Sequence, residues 1–342
     1  MATIKEIAER AGVSTTTVSN VIHGKTKKVS PANISKIEAL IKEMGYVQKM
    51  GLRVLNNEKS HLIAVVINYH KDFKDSILGD PFYGKILGFI EKYVQEQDYY
   101  LMLYSAKDTD KIFQMVMGWD VDGVIAISFS KSNCEKIYQL IKKPIVSIDA
   151  YGELEKGQES NVINIGLDDE SGGYLMTKYL LECGYEHIQV CAGRDSGVDH
   201  FRYLGAKKAG EELAGSRQKV RFTPLGMNYA KRKESYGWIL QRRKPKTALF
   251  FLSDLYALEA ISYFSSRGVQ IPEDIGIAGY DNISYSEFSV PRLTTISQNV
   301  ERKATLAVEI LMERINGVEK EREKEMRLPV SLITRKSVQE QQ

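Results

Sequence analysis

The sequence predicts an all-α headpiece over residues 1–46 followed, from residue 61, by a two-lobed α/β body with parallel sheets. Three observations predict this. Apolar residues in the first 46 positions recur at helical spacing behind capping residues. From Leu62 onward, short apolar strand-like runs alternate with amphipathic helical stretches. A length of 342 residues exceeds one typical hydrophobic core. With 43% hydrophobic and 27% charged residues the chain can bury a sizeable interior.

The first helix opens on Thr3-Ile4-Lys5-Glu6, a capping box in which the Thr hydroxyl and the Glu carboxylate each accept a backbone N–H. Ile4, Ile7, Ala8 and Ala11 follow as a stripe, and Gly12 ends the helix. Ser14 caps a second helix from Thr15 to about His23, with Val18, Val21 and Ile22 as its apolar face. A third helix, about Pro31–Met44, carries Ile34, Ile37, Leu40 and Ile41. Two short helices about a glycine turn make a helix-turn-helix, whose second helix enters the major groove of DNA. That helix offers Ser14, Thr15, Thr16, Ser19 and Asn20, poor helix formers but good partners for base edges. The plainer alternative is a three-helix bundle with a polar second helix.

Charge favours the DNA reading. Residues 1–60 hold ten Lys or Arg against five Glu, a net of +5, which leaves −2 for the remaining 282 residues. A basic module on a faintly acidic body is expected when only the module meets phosphates.

In the body, Leu62–Ile67, Leu101–Tyr104, Gly123–Ile127 and Ile145–Ile148 form a first set of strand signals. Val162–Ile165, Ile188–Ala192, Ala248–Leu252 and Ile275–Ala278 form a second. Repeated β–α–β units imply two parallel sheets covered by helices, with a ligand cleft outside the carboxyl ends of the strands. No GxGxxG, GxSxG or Walker loop is present, so neither an enzyme nor a cofactor is expected. Cys134, Cys183 and Cys191 form no CxxC and the five histidines no HxxxH, so no metal site is expected and the thiols suit a reducing cytosol. The N-terminus lacks the apolar run of a signal peptide, and the longest apolar run, Leu62–Ile67, is too short for a bilayer. The expectation is a cytoplasmic protein without membrane contact.

The stretch Thr3 to Ser14, with Thr17-Val18-Ser19, Val29-Ser30 and Gly45-Tyr46-Val47, resembles the headpiece of the lactose/galactose repressor (LacI/GalR) family of transcriptional regulators. The resemblance continues through Val121-Asp122-Gly123, Asp168-Asp169-Glu170-Ser171-Gly172-Gly173, Arg202-Tyr203-Leu204-Gly205, Gly279-Tyr280-Asp281-Asn282 and Leu293-Thr294-Thr295, covering essentially the whole chain. It implies a hinge at 47–60 and a periplasmic-binding-protein-like body at 61–342. Lobe 1 would span about 61–160 and 292–324, and lobe 2 about 161–291 and 325–342, with crossovers near 161, 291 and 325. It implies a repressor that binds a near-palindromic double-stranded operator as a homodimer and answers to a small polar effector, a sugar or related metabolite.

Residue by residue, the resemblance implies that Thr15, Thr16 and Asn20 read bases and that Thr3, Ser14, Thr17, Ser19 and Ser30 hold phosphates. Arg53 and Leu55 fall in the hinge, Leu55 as a minor-groove wedge. Arg202 and Asp281 would face the ligand with Asp254 close by, and Phe82, Tyr83 and Tyr229 would supply aromatic surfaces. For Arg202 and Asp281 the alternative is a structural salt bridge across the lobe. Several positions depart from the family pattern. Asn20 stands where Arg is usual, Gln48, Met50 and Gly51 alter the hinge, the segment before Pro81 is longer, and 106–120 is shorter. The rival functions are a regulator answering to a protein partner or to no effector, an enzyme on a doubly wound fold, and a secreted binding protein.

Overall fold

The computed structural model describes residues 2–46, 59–69, 76–154, 157, 159–213, 219–318 and 320–339, in two units, Met1–Ser60 and His61–Gln342. In the first unit, α1 (Ile4–Ala11) carries both halves of its capping box: Glu6 N–H donates to Thr3 Oγ1 at 3.2 Å and Thr3 N–H to Glu6 Oε2 at 2.8 Å. Gly12 takes a left-handed φ of 72°, which turns the chain without steric cost. Ser14 caps α2 (Thr15–Ile22), and Ser30 caps α3 (Pro31–Glu43), which opens on its proline. Ile7, Val18 and Ile37, one from each helix, are wholly buried together. Each contributes roughly 1.5–3 kcal/mol, so three helices too short to persist alone hold one another. Lys36 Nζ donates to Ala11 O at 2.8 Å and so closes the end of α1. The hinge residues Arg53 and Leu55 lie outside the described residues.

The second unit begins with β1 (Leu62–Asn68), α4 (Pro81–Gln95), β2 (Tyr100–Ala106), α5 (Thr109–Gly118), β3 (Gly123–Ile127), α6 (Lys131–Ile141), β4 (Ile145–Ile148) and β5 (Ile163–Leu167). It continues with α7 (Asp169–Glu182), β6 (His187–Ala192), α8 (Val198–Leu213), β7 (Lys219–Pro224), α9 (Tyr229–Arg242), β8 (Thr247–Phe251) and α10 (Asp254–Ser265). Last come β9 (Gly276–Asp281), α11 (Tyr285–Phe288), β10 (Thr294–Ser297), α12 (Val300–Ile315), β11 (Glu325–Leu328) and β12 (Ser331–Ile333). One sheet runs β11-β5-β4-β3-β1-β2 and the other β12-β10-β9-β8-β6-β7. All pairings are parallel except β10–β12. The residues of β3, β8 and β9 are buried throughout, which explains their unbroken apolar runs: helices cover both faces.

The lobe boundaries fall later than the sequence suggests. Strand β5, expected to open lobe 2, pairs with β4 through Val146 and Ile163 and belongs to lobe 1. Strand β10 stays in lobe 2, and β11 returns to lobe 1 beside β5. The crossovers therefore lie near 168, 298 and 329 rather than 161, 291 and 325. An apolar run announces a strand, but its sheet is chosen by hydrogen bonds to residues far away in sequence.

Candidate functional site

The carboxyl ends of both sheets open onto a cleft of about 330 Å³. Lobe 1 contributes Phe82, Tyr83, Ser128 and Asp149; lobe 2 contributes Asp199, Arg202, Tyr256 and Asp281; Gln298 enters from a crossover. A smaller hollow of about 140 Å³ shares Asp149, Tyr151 and Val198 with it but none of the six expected ligand residues. Ser128, Asp149 and Asp281 close their strands with positive φ, 60°, 53° and 123°. Backbone in this region is strained for a residue with a Cβ, and such strain gathers at binding sites.

Arg202 is set by the crossing of α7 and α8. A Cβ at Gly173 would lie 1.8 Å from Arg202 O, and one at Gly205 would lie 1.8 Å from Glu170 O, so only glycines let the two backbones touch. That contact carries the guanidinium over Asp169. Arg202 Nε donates to Asp169 Oδ1 at 2.8 Å and an Nη to Leu252 O at 3.0 Å, while Cζ lies 3.8 Å above the Tyr280 ring. Burial disfavours the Arg202 charge, but Asp169, Tyr280 and Asp199 outweigh it and raise its pKa, so it stays a cation. The expected alternative, a structural salt bridge across the lobe, is met for Arg202, whose partners are Asp169 and, at 3.6 Å, Asp199, while Asp281 forms no ion pair with it.

Asp281 instead accepts from the Gln298 amide. Gln298 Oε1 accepts from Lys303 Nζ at 3.2 Å, and Lys303 holds both oxygens of Asp149 at 2.9 and 2.8 Å. This buried chain joins the end of β9 in lobe 2 to the end of β4 in lobe 1 through the crossover residue. Burial, reinforced by the Asp254 and Asp80 charges against the pull of Arg202, raises the Asp281 pKa well above the carboxylate range. Tyr83 Oη and Ser128 Oγ share a hydrogen bond of 3.1 Å on the facing wall.

Two expected ligand residues lie elsewhere. Asp254 is wholly buried: its Oδ2 accepts from Ile283 N–H at 3.0 Å and Ser286 Oγ at 2.6 Å, and its Oδ1 from Thr295 Oγ1 at 2.6 Å. It pins the connection between β9 and β10, and burial pushes its pKa up to about 6 against those bonds. Tyr229 lies outside the cleft, 45% exposed with the Lys233 ammonium 4.9 Å from its ring; Tyr256 of α10 is an aromatic that does line it. Asp149, Asp199, Tyr256, Gln298 and Lys303 escaped the sequence reading. Asp149 and Gln298 directly follow strands, so the rule that ligands bind beyond carboxyl ends could have flagged them.

On the headpiece, Thr3, Ser14, Thr15, Thr16 and Ser30 are exposed, while Thr17, Ser19 and Asn20 are half-buried. Thr3, Ser14 and Ser30 are the three N-caps, so each stands at the positive end of a helix, where phosphate oxygens are favoured. Among the described residues no helix is long and apolar enough to cross a membrane, and no cluster of His, Cys, Asp or Glu suits a metal ion.

A family model described as bacterial regulatory proteins, lacI family, matches residues 3–49, and a periplasmic binding protein-like domain matches residues 177–338. The HTH-type transcriptional repressor PurR of Haemophilus influenzae is 31% identical over 352 aligned residues, covering 99% of each chain. A lac repressor dimer bound to operator and the anti-inducer ONPF shares the fold, with a TM-score of 0.81 at 22% identity over 98% of each chain. The transcriptional regulator CelR in its cellobiose complex has a TM-score of 0.69 at 25% identity, covering 98% of this chain and 100% of that one.

Proposed function

The chain belongs to the lacI family of bacterial regulatory proteins, and from that premise we propose how its residues divide the work of a ligand-responsive, sequence-specific DNA-binding repressor. Thr15, Thr16 and Asn20 read base edges, while Thr3, Ser14, Thr17, Ser19 and Ser30 hold phosphates. Arg53 and Leu55 make the hinge contact. The protein acts as a homodimer, since a two-fold assembly matches a near-palindromic operator and doubles every contact.

Phe82, Tyr83, Arg202 and Asp281 hold a small polar effector, a sugar or related metabolite, between the lobes. The observation that carries this is the cleft itself, in which these four side chains converge from two separate lobes. Aromatic faces cover the ligand, while a planar cation and the carboxyl group of Asp281 take its hydroxyls or polar edges. Asp254 is left out of the proposed set because its oxygens already accept from Ser286 and Thr295, and Tyr229 because it does not line the cleft. The effector acts by binding one lobe arrangement more tightly than another, which shifts the population competent for operator.

The test is operator titration with and without a panel of sugars, nucleobases and nucleosides. One member is expected to change operator affinity by about 5- to 150-fold, the usual range of allosteric coupling. A flat response across the panel, or no selected operator at all, would refute the reading.

A further inference from the structure

The faint negative charge of residues 61–342 conceals a strongly basic region. Between Lys219 and Lys246 the chain holds nine Lys or Arg and one acid, Glu234, a net of +8, so the rest of the second unit stands at −10. Eight of the nine side chains are exposed; the exception, Arg232, is buried in a bidentate pair with Glu259. Six of the eight exposed cations, Lys219, Arg221, Arg242, Arg243, Lys244 and Lys246, fall at the end of lobe 2 opposite the cleft, where β6, β7 and β8 begin; Lys231 and Lys233 open α9 at the other end. Glu186 N–H donates to Lys246 O at 2.9 Å and Lys219 N–H to Glu186 O at 2.8 Å, so these strand starts adjoin. Arg221 lies two residues along edge strand β7, and Arg242, Arg243 and Lys244 lead from α9 into β8.

These cations are poorly neutralised. Lys246 meets Glu186 at 2.7 Å, but among the described residues no carboxylate lies within ion-pair distance of Lys219, Arg221, Arg242, Arg243 or Lys244. His187 sits among them: burial first, then the charges of Lys244, Lys219 and Arg221, lower its pKa against the pull of Glu186. Trp238, 51% exposed, adds an indole with the Arg242 guanidinium 4.8 Å from its ring. Protein interfaces deplete lysine at their centre and bury an apolar core. A lysine- and arginine-rich surface with one exposed aromatic instead fits a phosphate backbone, which rewards charge density through counterion release.

We propose that this face of lobe 2 binds the backbone of duplex DNA without sequence preference, as a second site separate from the helix-turn-helix. On this proposal the headpiece is not alone in meeting phosphates. Lys219, Arg221, Arg243 and Lys244 take phosphates, and Trp238 with Arg242 packs against the sugar edge.

The test uses the full chain saturated with a short operator duplex selected from random sequence, then titrated with a labelled non-operator duplex at rising salt. The wild type is expected to bind the second duplex, with log K falling linearly in log salt. The triple variant Arg221→Glu, Arg243→Glu, Lys244→Glu should weaken this at least tenfold and reduce the slope by about 2–3, at roughly 0.9 per lost contact. The milder Arg221→Gln, Arg243→Gln, Lys244→Gln variant should fall between, and operator affinity should stay within about twofold. Absence of second-duplex binding, or equal binding by the triple variant, overturns the proposal. So does a polyglutamate peptide bound more tightly than the DNA, which would make the partner an acidic protein.

Discussion

Lys303 holds both carboxylate oxygens of Asp149, at 2.9 and 2.8 Å, while its own side chain has no exposed surface. Through Gln298 the same ammonium is linked to Asp281 across the crossover. The wall of the cleft in lobe 1 and the carboxylate in lobe 2 are thus parts of one buried network. Removing one partner of a buried ion pair strands the other, at a cost of about 3–5 kcal/mol. Lys303→Met is therefore expected to destabilise the body by that amount in urea titration. Adding Asp149→Asn should recover part of the loss, since a neutral amide leaves no stranded charge and Asn tolerates the positive φ at this position. A single variant costing under about 1 kcal/mol would contradict a dry, paired Lys303.

Gly205 is expected to be intolerant of even one methyl group. The added Cβ meets Glu170 O, a backbone atom that cannot swing aside. Gly205→Ala should cost about 1–3 kcal/mol as an overpacked contact and should displace Arg202 from the cleft. Thermal denaturation measures the first effect, and effector affinity measures the second. A variant of unchanged melting temperature would mean that α7 and α8 are not in backbone contact.

Asp254 holds the β9–β10 connection rather than the ligand. Asp254→Ala leaves the Ser286 and Thr295 hydroxyls and the Ile283 N–H without their acceptor. Each buried group so orphaned costs about 1–3 kcal/mol, so a loss of at least about 3 kcal/mol is expected. A stable variant with weakened effector binding would return Asp254 to the ligand site.

Asp199 makes stability depend on pH. Burial pushes its pKa up to about 7; Arg202 opposes the shift, and Asp169 and Asp195 reinforce it. The folded state therefore holds this proton more tightly than the unfolded chain, whose Asp ionises near pH 4. The stabilisation is fully present below about pH 4 and is lost as pH climbs through about 7. Asp199→Asn cannot ionise, so the stability of wild type relative to the variant should fall between those values. Melting curves from pH 4 to 8 follow the difference, and parallel curves would place the Asp199 pKa in the ordinary range.

Asn20→Arg is expected to change which base the second headpiece helix prefers. A bidentate contact is worth about 1–3 kcal/mol of discrimination, and Arg favours guanine where Asn favours adenine. Selection from randomised duplexes should return consensus sites that differ at one position in each half. An identical consensus from both proteins would remove Asn20 from the base readers.

Much of this architecture was legible in local sequence because its signals are local. A capping box spans four residues, a helical stripe a dozen, and a buried parallel strand a short apolar run; each helix of the headpiece formed where those signals lie. The pairing of Arg202 was another matter. Nothing near it in sequence names Asp169, 33 residues away, as its partner, and the glycines that bring them together act only once α7 crosses α8. Asp254 opens α10 just beyond β8 and Asp281 ends β9, yet one is spent on Ser286 and Thr295 while the other lines the cleft. The tertiary structure alone decides between such twins, because a carboxylate's role depends on which donors reach it first. Sheet membership of β5, β10 and β11 had the same origin; the basic run at 219–246 was by contrast legible in the sequence, and only the adjacency of its strand starts came from the fold. Periodicity and capping are properties of neighbours in the chain; partnership, burial and the summing of charge on a surface are properties of neighbours in space.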